Sequence, residues 1–171
     1  MFPMKELTIN SKLQYANPIR KKFCRNDTMT KKLRVMLVSH PGTWQKMLKK
    51  KIESHQHVGE IEVVSGSLSA SQLVKDAQSD LILIDSSIPF DDALVLVHIV
   101  NLENPGIRSM IITDTTKQRR RVLQVGVDFV ASSFNVETQI EKVLDQLSEN
   151  LQNGMENPTR KFNADPNLEV E

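Results

Sequence analysis

The chain has 171 residues, of which 39% are hydrophobic and 25% charged, so it can bury one core and is not expected to be disordered throughout. Its longest apolar run, Ala93–Val97, is far shorter than the ~20 residues that span a membrane. The first residues show no secretory leader, so a cytoplasmic protein without membrane contact is predicted. The single cysteine, Cys24, excludes an internal disulfide framework and a Cys-rich zinc site.

Charge is distributed unevenly, although the formal net charge is only +1. Residues 1–32 contain eight Lys or Arg and two acidic residues, giving +6, whereas residues 149–171 contain two basic and five acidic residues, giving −3. We predict a disordered basic arm over 1–32, a folded domain over 33–151 and a polar tail over 152–171. Nucleic-acid contact is not expected except through the arm, which is more typical of a solvated segment and would be absent if synthesis began at Met29.

The predicted elements begin with a strand rich in β-branched and aliphatic residues, Leu33–Val38. A helix follows, with one apolar face formed by Trp44, Met47, Leu48 and Ile52. The second strand is predicted at Ile61–Val64. Ser69 and Gln72, three residues apart, match a capping box, which predicts the start of a second helix.

The second half of the chain continues this alternation. In order, the pattern predicts strand Leu81–Ile84, helix Asp91–Glu103, strand Ile107–Ile112, a helix after Thr115, strand Phe129–Ala131 and a helix capped by Asn135. Thr115 and Gln118 match a second capping box, and Gly126 is a suitable residue to end the helix that they begin.

Five strands that alternate with helices, each strand almost continuously apolar, indicate an α/β fold with a parallel sheet covered on both faces. Right-handed connections make this a doubly wound, flavodoxin-like sheet with strand order 2-1-3-4-5. In such folds ligands bind beyond the carboxyl ends of the strands. The candidate functional residues are therefore those that follow the strands, namely Ser39, His40, Asp85, Thr113 and Ser132.

The chemistry available at these strand ends is limited. The carboxylate of Asp85 could act as a nucleophile toward phosphorus, and the hydroxyl of Thr113 could bind a phosphoryl oxygen. Phosphoryl transfer also requires cations, usually Mg²⁺ held by carboxylates together with a Lys. Ser39, His40 and Ser132 provide neither a carboxylate nor a Lys. We therefore predict weak or absent Mg²⁺ binding, no resident metal or cofactor and no enzymatic activity.

The segment from Leu33 to Leu151 resembles the CheY-like receiver domains of response regulators. Leu81–Ile84 followed by Asp85, and Pro89 four residues later, is similar to the phosphoacceptor strand of that family. The resemblance implies that Asp85 is the phosphoacceptor position and that Thr113 and Phe129 are the switch positions. Gly126, Val127 and Asp128, which precede Phe129, complete a run that is typical of the family.

The sequence departs from this family at the residues that bind the metal and the phosphoryl group. Ser39 and His40 stand where receivers have an acidic pair, and Ser132 and Ser133 stand where they have Lys and Pro. The pattern is similar to atypical or pseudo-receivers. It implies a protein-interaction module in a phosphorelay, with a partner or a second copy bound through the face of the fourth helix, fifth strand and fifth helix. Arg119, Arg120 and Arg121 are the candidate contact residues on that face.

Several alternatives remain open at the level of sequence. Asp85 could still be phosphorylated by a histidine kinase in a single-domain response regulator, or it could only cap its loop through hydrogen bonds. His40 could ligate a transition metal, although an ordinary loop histidine is more common. The arginines could be a solvated helix face. A nucleotide- or flavin-binding protein is disfavoured, because the loop after the first strand contains only one glycine, Gly42.

Overall fold

A computed structural model describes residues 31–153 of the chain. The predictions made for the basic arm, including Cys24 and an alternative start at Met29, lie outside the described residues apart from Lys31 and Lys32. The same holds for the polar tail beyond Asn153.

The described residues form five strands and five helices. Their bounds are β1 Leu33–Val38, α1 Thr43–Glu53, β2 Val58–Val64, α2 Ser67–Leu73, β3 Leu81–Ile84, α3 Phe90–Glu103, β4 Arg108–Thr113, α4 Thr116–Gln124, β5 Phe129–Ser132 and α5 Val136–Gln152. All strand pairs are parallel and the sheet order is β2-β1-β3-β4-β5. The predicted doubly wound sheet with order 2-1-3-4-5 is confirmed.

The sheet divides the interior into two cores, because successive side chains of a strand point to opposite faces. On one face, Ile82 and Ile84 of β3 pack with Leu96 of α3 and with residues of α2 and α4. On the other face, Leu81 and Leu83 pack with residues of α1 and α5. All four residues of β3 are fully buried, as expected for the central strand of a sheet covered on both sides. This rigid centre fixes the position of the residue that follows β3.

The second strand and the second helix differ from their predictions. β2 begins at Val58, three residues before the predicted start, because Val58 pairs with Leu33 of β1. The capping box predicted at Ser69 and Gln72 is wrong, since α2 begins at Ser67 and has no side-chain cap. The chain turns into α2 at Gly66, whose φ of +90° lies in the left-handed region that favours glycine.

The starts of the last two helices illustrate two kinds of N-terminus. The predicted capping box of α4 is confirmed. Thr115 Oγ1 accepts from the backbone N–H of Gln118, and Gln118 Oε1 accepts from the backbone N–H of Thr115, both at 3.2 Å. Asn135 occupies the N-cap position of α5, but its side chain makes no capping hydrogen bond. A 3₁₀ turn over Ser133–Asn135 leads directly into α5 and replaces the predicted cap.

None of the helices within residues 31–153 combines the length and the apolar character needed to cross a membrane.

Candidate functional site

The carboxyl ends of the strands bring together the residues that follow them. Val38 pairs with Ile84, so Ser39 and Asp85 leave adjacent strands at the same level. The Asp85 amide continues this pairing by donating to the carbonyl oxygen of Val38 at 3.0 Å. Thr113 pairs with Ser132 at the ends of β4 and β5. The predicted site residues therefore lie along one edge of the sheet.

Asp85 is 1% exposed, and both of its carboxylate oxygens accept hydrogen bonds from neutral donors. Its Oδ1 accepts from the indole Nε1 of Trp44 at 2.6 Å and from Ser86 Oγ at 3.5 Å. Its Oδ2 accepts from Ser39 Oγ at 2.6 Å and from Ser87 Oγ at 2.7 Å. Within residues 31–153, no Lys, Arg or His forms an ion pair with this carboxylate. The Asp85 carboxylate is therefore stabilised by short hydrogen bonds from N–H and O–H groups.

Trp44 closes the site from the first turn of α1. Sequence periodicity placed it on the apolar face of that helix, and its ring does pack beside the core between α1 and α5. The indole N–H is directed at Asp85, 41 residues along the chain. A buried indole N–H usually requires a hydrogen-bond partner, which is the signal that could have identified this contact. The identity of the partner depends on the tertiary fold and not on local spacing.

Ser39 and His40, which were predicted to stand in place of an acidic pair, have different surroundings. Ser39 is fully buried and donates directly to Asp85. His40 is exposed, and its backbone amide donates to Ser87 Oγ at 3.1 Å. Among the described residues, no group of three or more His, Cys, Asp or Glu side chains is arranged to hold a metal ion. The transition-metal alternative for His40 is therefore not supported by a set of three ligands within residues 31–153.

The remaining strand-end residues bond to backbone. Thr113 is buried, and its Oγ1 donates to the carbonyl oxygen of Ala131 in β5 at 3.2 Å. Ser132 Oγ accepts from the Phe134 amide at 3.4 Å and so begins the 3₁₀ turn. Phe129 is half-buried against the core of α1 and α5. Of the residues at this edge, Ser39, Ser87 and Trp44 bind Asp85. The Thr113 hydroxyl instead binds the backbone of β5, and the Ser132 hydroxyl binds the backbone of the turn that follows β5.

An exposed aromatic side chain, which sequence reasoning missed, lies at the edge of the site. Phe134 is 92% exposed and, with Trp44 and Met47, lines an open pocket of about 280 Å³ between α1 and the start of α5. Phe134 follows Ser132 and Ser133, which were predicted to stand in place of a Lys and a Pro. Its exposure could not be read from periodicity, because the 3₁₀ turn sets its direction.

The three arginines of α4 are not equivalent. Arg121 Nη2 bonds to Asp91 Oδ1 at 3.0 Å, and the guanidinium lies 5.1 Å from the centre of the Phe90 ring. Arg121 is thus turned toward α3. Arg119 and Arg120 are exposed, and Leu123, one helical turn from both, is 60% exposed.

The chain is similar to known proteins in its three-dimensional structure but matches none of the compared families or curated proteins. No protein-family model and no curated protein matches the chain. A CheY-like response regulator receiver domain protein from Methanospirillum hungatei JF-1 is similar to it at a TM-score of 0.57 and 15% identity, over 69% of this chain and 98% of that one. The chain has the receiver-domain fold.

Two further receiver domains agree with this assignment. The receiver domain of a sensor histidine kinase from Pseudomonas aeruginosa PAO1, with magnesium coordinated in its active site cleft, matches at a TM-score of 0.59 and 16% identity, over 69% of this chain and 98% of that one. The receiver domain of an HD domain-containing protein from Pseudomonas fluorescens Pf-5 matches at a TM-score of 0.62 and 15% identity, over 74% and 94% of the two chains. Identities of this size concern the fold alone.

Proposed function

We propose that this protein is an atypical receiver of two-component signalling, which acts by binding another protein or a second copy of itself and not through Mg²⁺-dependent phosphorylation. The observation that carries the proposal is the environment of Asp85. Its carboxylate is buried and accepts hydrogen bonds from Trp44, Ser39, Ser87 and, at 3.5 Å, Ser86, all of them neutral donors.

Phosphorylation of Asp85 would require a carboxylate oxygen to attack phosphorus while cations neutralise the developing charge. The attacking oxygen would have to leave either the indole N–H of Trp44 or the hydroxyls of Ser39 and Ser87. Mg²⁺ is normally held by one or two carboxylates and waters, and Ser39 and His40 add no carboxylate beside Asp85. Ser132 adds no cation. Each deficit raises the barrier to an acyl phosphate.

The same contacts support a fixed conformation of the site. Trp44 belongs to α1, Ser39 follows β1, and Ser87 lies in the loop after β3, so the three hydrogen bonds join three separate segments at one carboxylate. Charge-assisted hydrogen bonds of this kind are roughly twice as strong as neutral ones. A receiver held in one state can present its surface to a partner without a phosphoryl signal.

The proposed partner surface comprises Arg119, Arg120 and Leu123 on α4 together with the adjoining β5–α5 side. Arginine is enriched in protein interfaces, and the exposed Leu123 adds apolar contact surface beside Arg119 and Arg120. Arg121 is omitted because it already contacts Asp91 and Phe90. Such a surface fits an acidic protein partner with an apolar contact at its centre.

The proposal is tested by exposing the full chain to Mg²⁺ and a small acyl-phosphate donor, with a phosphorylatable receiver domain run in parallel as the positive control. Intact mass should show no phosphoryl gain in the wild type or in Asp85→Asn. Because Trp44 is the sole tryptophan and contacts Asp85, its fluorescence should also stay unchanged on adding Mg²⁺ and beryllofluoride.

A phosphoryl gain that disappears in Asp85→Asn would overturn the proposal. The protein would then be a single-domain response regulator that receives its phosphoryl group from a histidine kinase, an alternative favoured by the position of Asp85 directly after β3.

A further inference from the structure

The outer surface of α2 and α3 carries an apolar groove, here called the α2–α3 groove. Leu68 of α2 is 74% exposed, and Val95 and Leu102 of α3 are 59% and 65% exposed. Val95, Ile99 and Leu102 recur at helical spacing, so they form one stripe on the side of α3 that faces away from the core. Between the helices lies an open pocket of about 320 Å³. A continuous apolar stripe of this kind marks a binding surface.

The ends of the α2–α3 groove are acidic. α3 contains Asp91, Asp92 and Glu103 and has no Lys or Arg. Asp91 is paired with Arg121, whereas Asp92 lines the groove itself and Glu103 adjoins Leu102. Lys75 and Asp76, at the end of α2, offset each other in charge. The occupant that matches this surface has apolar side chains flanked by basic ones.

The described chain begins at the end of the molecule where α2 and α3 end. Lys31 Nζ lies 3.5 Å from Asp80 Oδ1, in the connection between α2 and β3. Asn104, directly after α3, donates to the carbonyl oxygen of Ala77 at 3.1 Å and so joins the ends of the two helices. The chain before Lys31 therefore joins the domain at the end of the molecule where Leu102 lies.

The sequence before residue 31 contains a segment of the required composition. Residues 17–25 read Asn-Pro-Ile-Arg-Lys-Lys-Phe-Cys-Arg, with Ile19 and Phe23 four residues apart and four basic residues around them. The eight-residue step from Phe23 to Lys31 can span about 27 Å, against about 21 Å for the whole length of α3. The segment can therefore reach any part of the groove.

We propose that residues 17–25 bind in cis in the α2–α3 groove, with Ile19 and Phe23 against Leu68 and Val95. Their basic side chains would lie near Asp92 and Glu103. The connection to β1 gives the segment a high effective concentration at the groove, so a weak contact suffices to keep the groove covered. This groove is separate from the face of α4.

The single cysteine makes this proposal directly testable in the full chain. A nitroxide attached to Cys24, the only cysteine, should broaden the amide resonances of Leu68, Val95 and Leu102 in the isotope-labelled protein. The broadening should be lost in the variant L68S/V95S and in R20E/K21E/K22E. It should persist in Leu123→Ser, the matched control on α4.

Each other outcome contradicts the proposal. Broadening confined to a different surface, or none above that of a detached nitroxide, would show that the segment does not bind the groove. A mixture of nitroxide-labelled chains and separately isotope-labelled chains tests whether the broadening comes from a second copy, because in the mixture it can arise only between two chains. Broadening of the same resonances in that mixture, at the strength seen in the doubly labelled chain, would overturn binding in cis.

Discussion

At the scale of single residues, the Trp44–Asp85 hydrogen bond occupies one oxygen of the only strand-end carboxylate of the candidate site. It places an uncharged donor on a carboxylate oxygen that a receiver would otherwise leave for phosphorus or a metal ion. Ser39 and Ser87 do the same for the second oxygen. The Asp85 carboxylate is thereby held by donors from α1, from the residue after β1 and from its own loop.

Trp44→Phe keeps an aromatic ring but removes the indole N–H together with one of the two fused rings. It should destabilise the fold by at least the ~1–3 kcal/mol that leaving a buried acceptor short of a donor usually costs. Urea unfolding measures the effect. In a double-mutant cycle with Asp85→Ala, the two losses should be less than additive, because each substitution removes the same bond. Additive losses would mean that the hydrogen bond contributes nothing to stability.

The sequence identified Asp85, Ser39 and Trp44 separately, but it did not connect them. Hydrophobic periodicity treats tryptophan as apolar, and the N–H of its ring enters the argument only when a partner lies within reach. That partner follows β3, and only the packing of α1 against the sheet brings the two together. For the same reason the sequence could not show that Thr113 donates to Ala131 within the β4–β5 pair.

At the scale of elements, α4 depends on its first turn. It has one buried residue, Val122, and a high content of arginine, so packing holds it weakly compared with α3. The capping box between Thr115 and Gln118 therefore makes a large share of its stabilising contacts.

Thr115→Ala should destabilise the protein by about 1 kcal/mol, because the backbone N–H of Gln118 loses its side-chain acceptor at the start of α4. The matched control is Thr116→Ala, which changes an exposed threonine inside the same turn and should stay within about 0.5 kcal/mol of the wild type. Thermal or urea unfolding measures both. Equal losses in the two variants would contradict a specific capping contribution.

An exposed ion pair joins α1 to α5. The hydrogen bond between Lys51 and Glu141 lowers the pKa of the Glu141 carboxyl and raises the pKa of Lys51. A lowered carboxyl pKa contributes stability above the unfolded value, and this contribution is lost as the pH falls through the folded value.

Glu141→Gln should therefore be less stable than the wild type at neutral pH, and the difference should vanish in acid as Glu141 becomes protonated. Urea unfolding at low ionic strength over an acidic pH series measures the difference. Added salt should reduce it, since both side chains are open to solvent. A difference that persists below the lowered pKa of Glu141 would show a packing effect and not an electrostatic one.

The elements differ in how far their sequence determines them. β1 and β3 match their predicted bounds, because each is a compact apolar run between polar residues. β2 was predicted too short, since Gly59 and Glu60 have low strand propensity. The strand extends back to Val58 because Val58 and Glu60 pair with Leu33 and Arg34 of β1, with Gly59 at an irregularity between them. The pattern at Ser69 and Gln72 resembles that at Thr115 and Gln118, yet the turn at Gly66 starts α2 earlier. Local motifs are decisive only where no nearby turn overrides them.

At the scale of the whole molecule, any ligand that binds only the folded state adds its binding free energy to folding stability. The two cores fix the ends of β1 and β3 side by side, so a charge introduced at Ser39 cannot move away from Asp85. Metal binding at these strand ends would therefore be visible as a change in global stability.

Ser39→Asp tests the charge deficit on which the proposed function depends. Without Mg²⁺ this variant should be less stable than the wild type, because it places a second carboxylate beside Asp85 Oδ2 and removes a donor. With Mg²⁺ it should recover by about 2.7 kcal/mol when free Mg²⁺ reaches about a hundred times its Kd, whereas the wild type and the neutral control Ser39→Asn should not respond. Urea unfolding with and without Mg²⁺ measures all three, and an equal response of the wild type would mean that Asp85 already binds the metal without an acidic partner at Ser39.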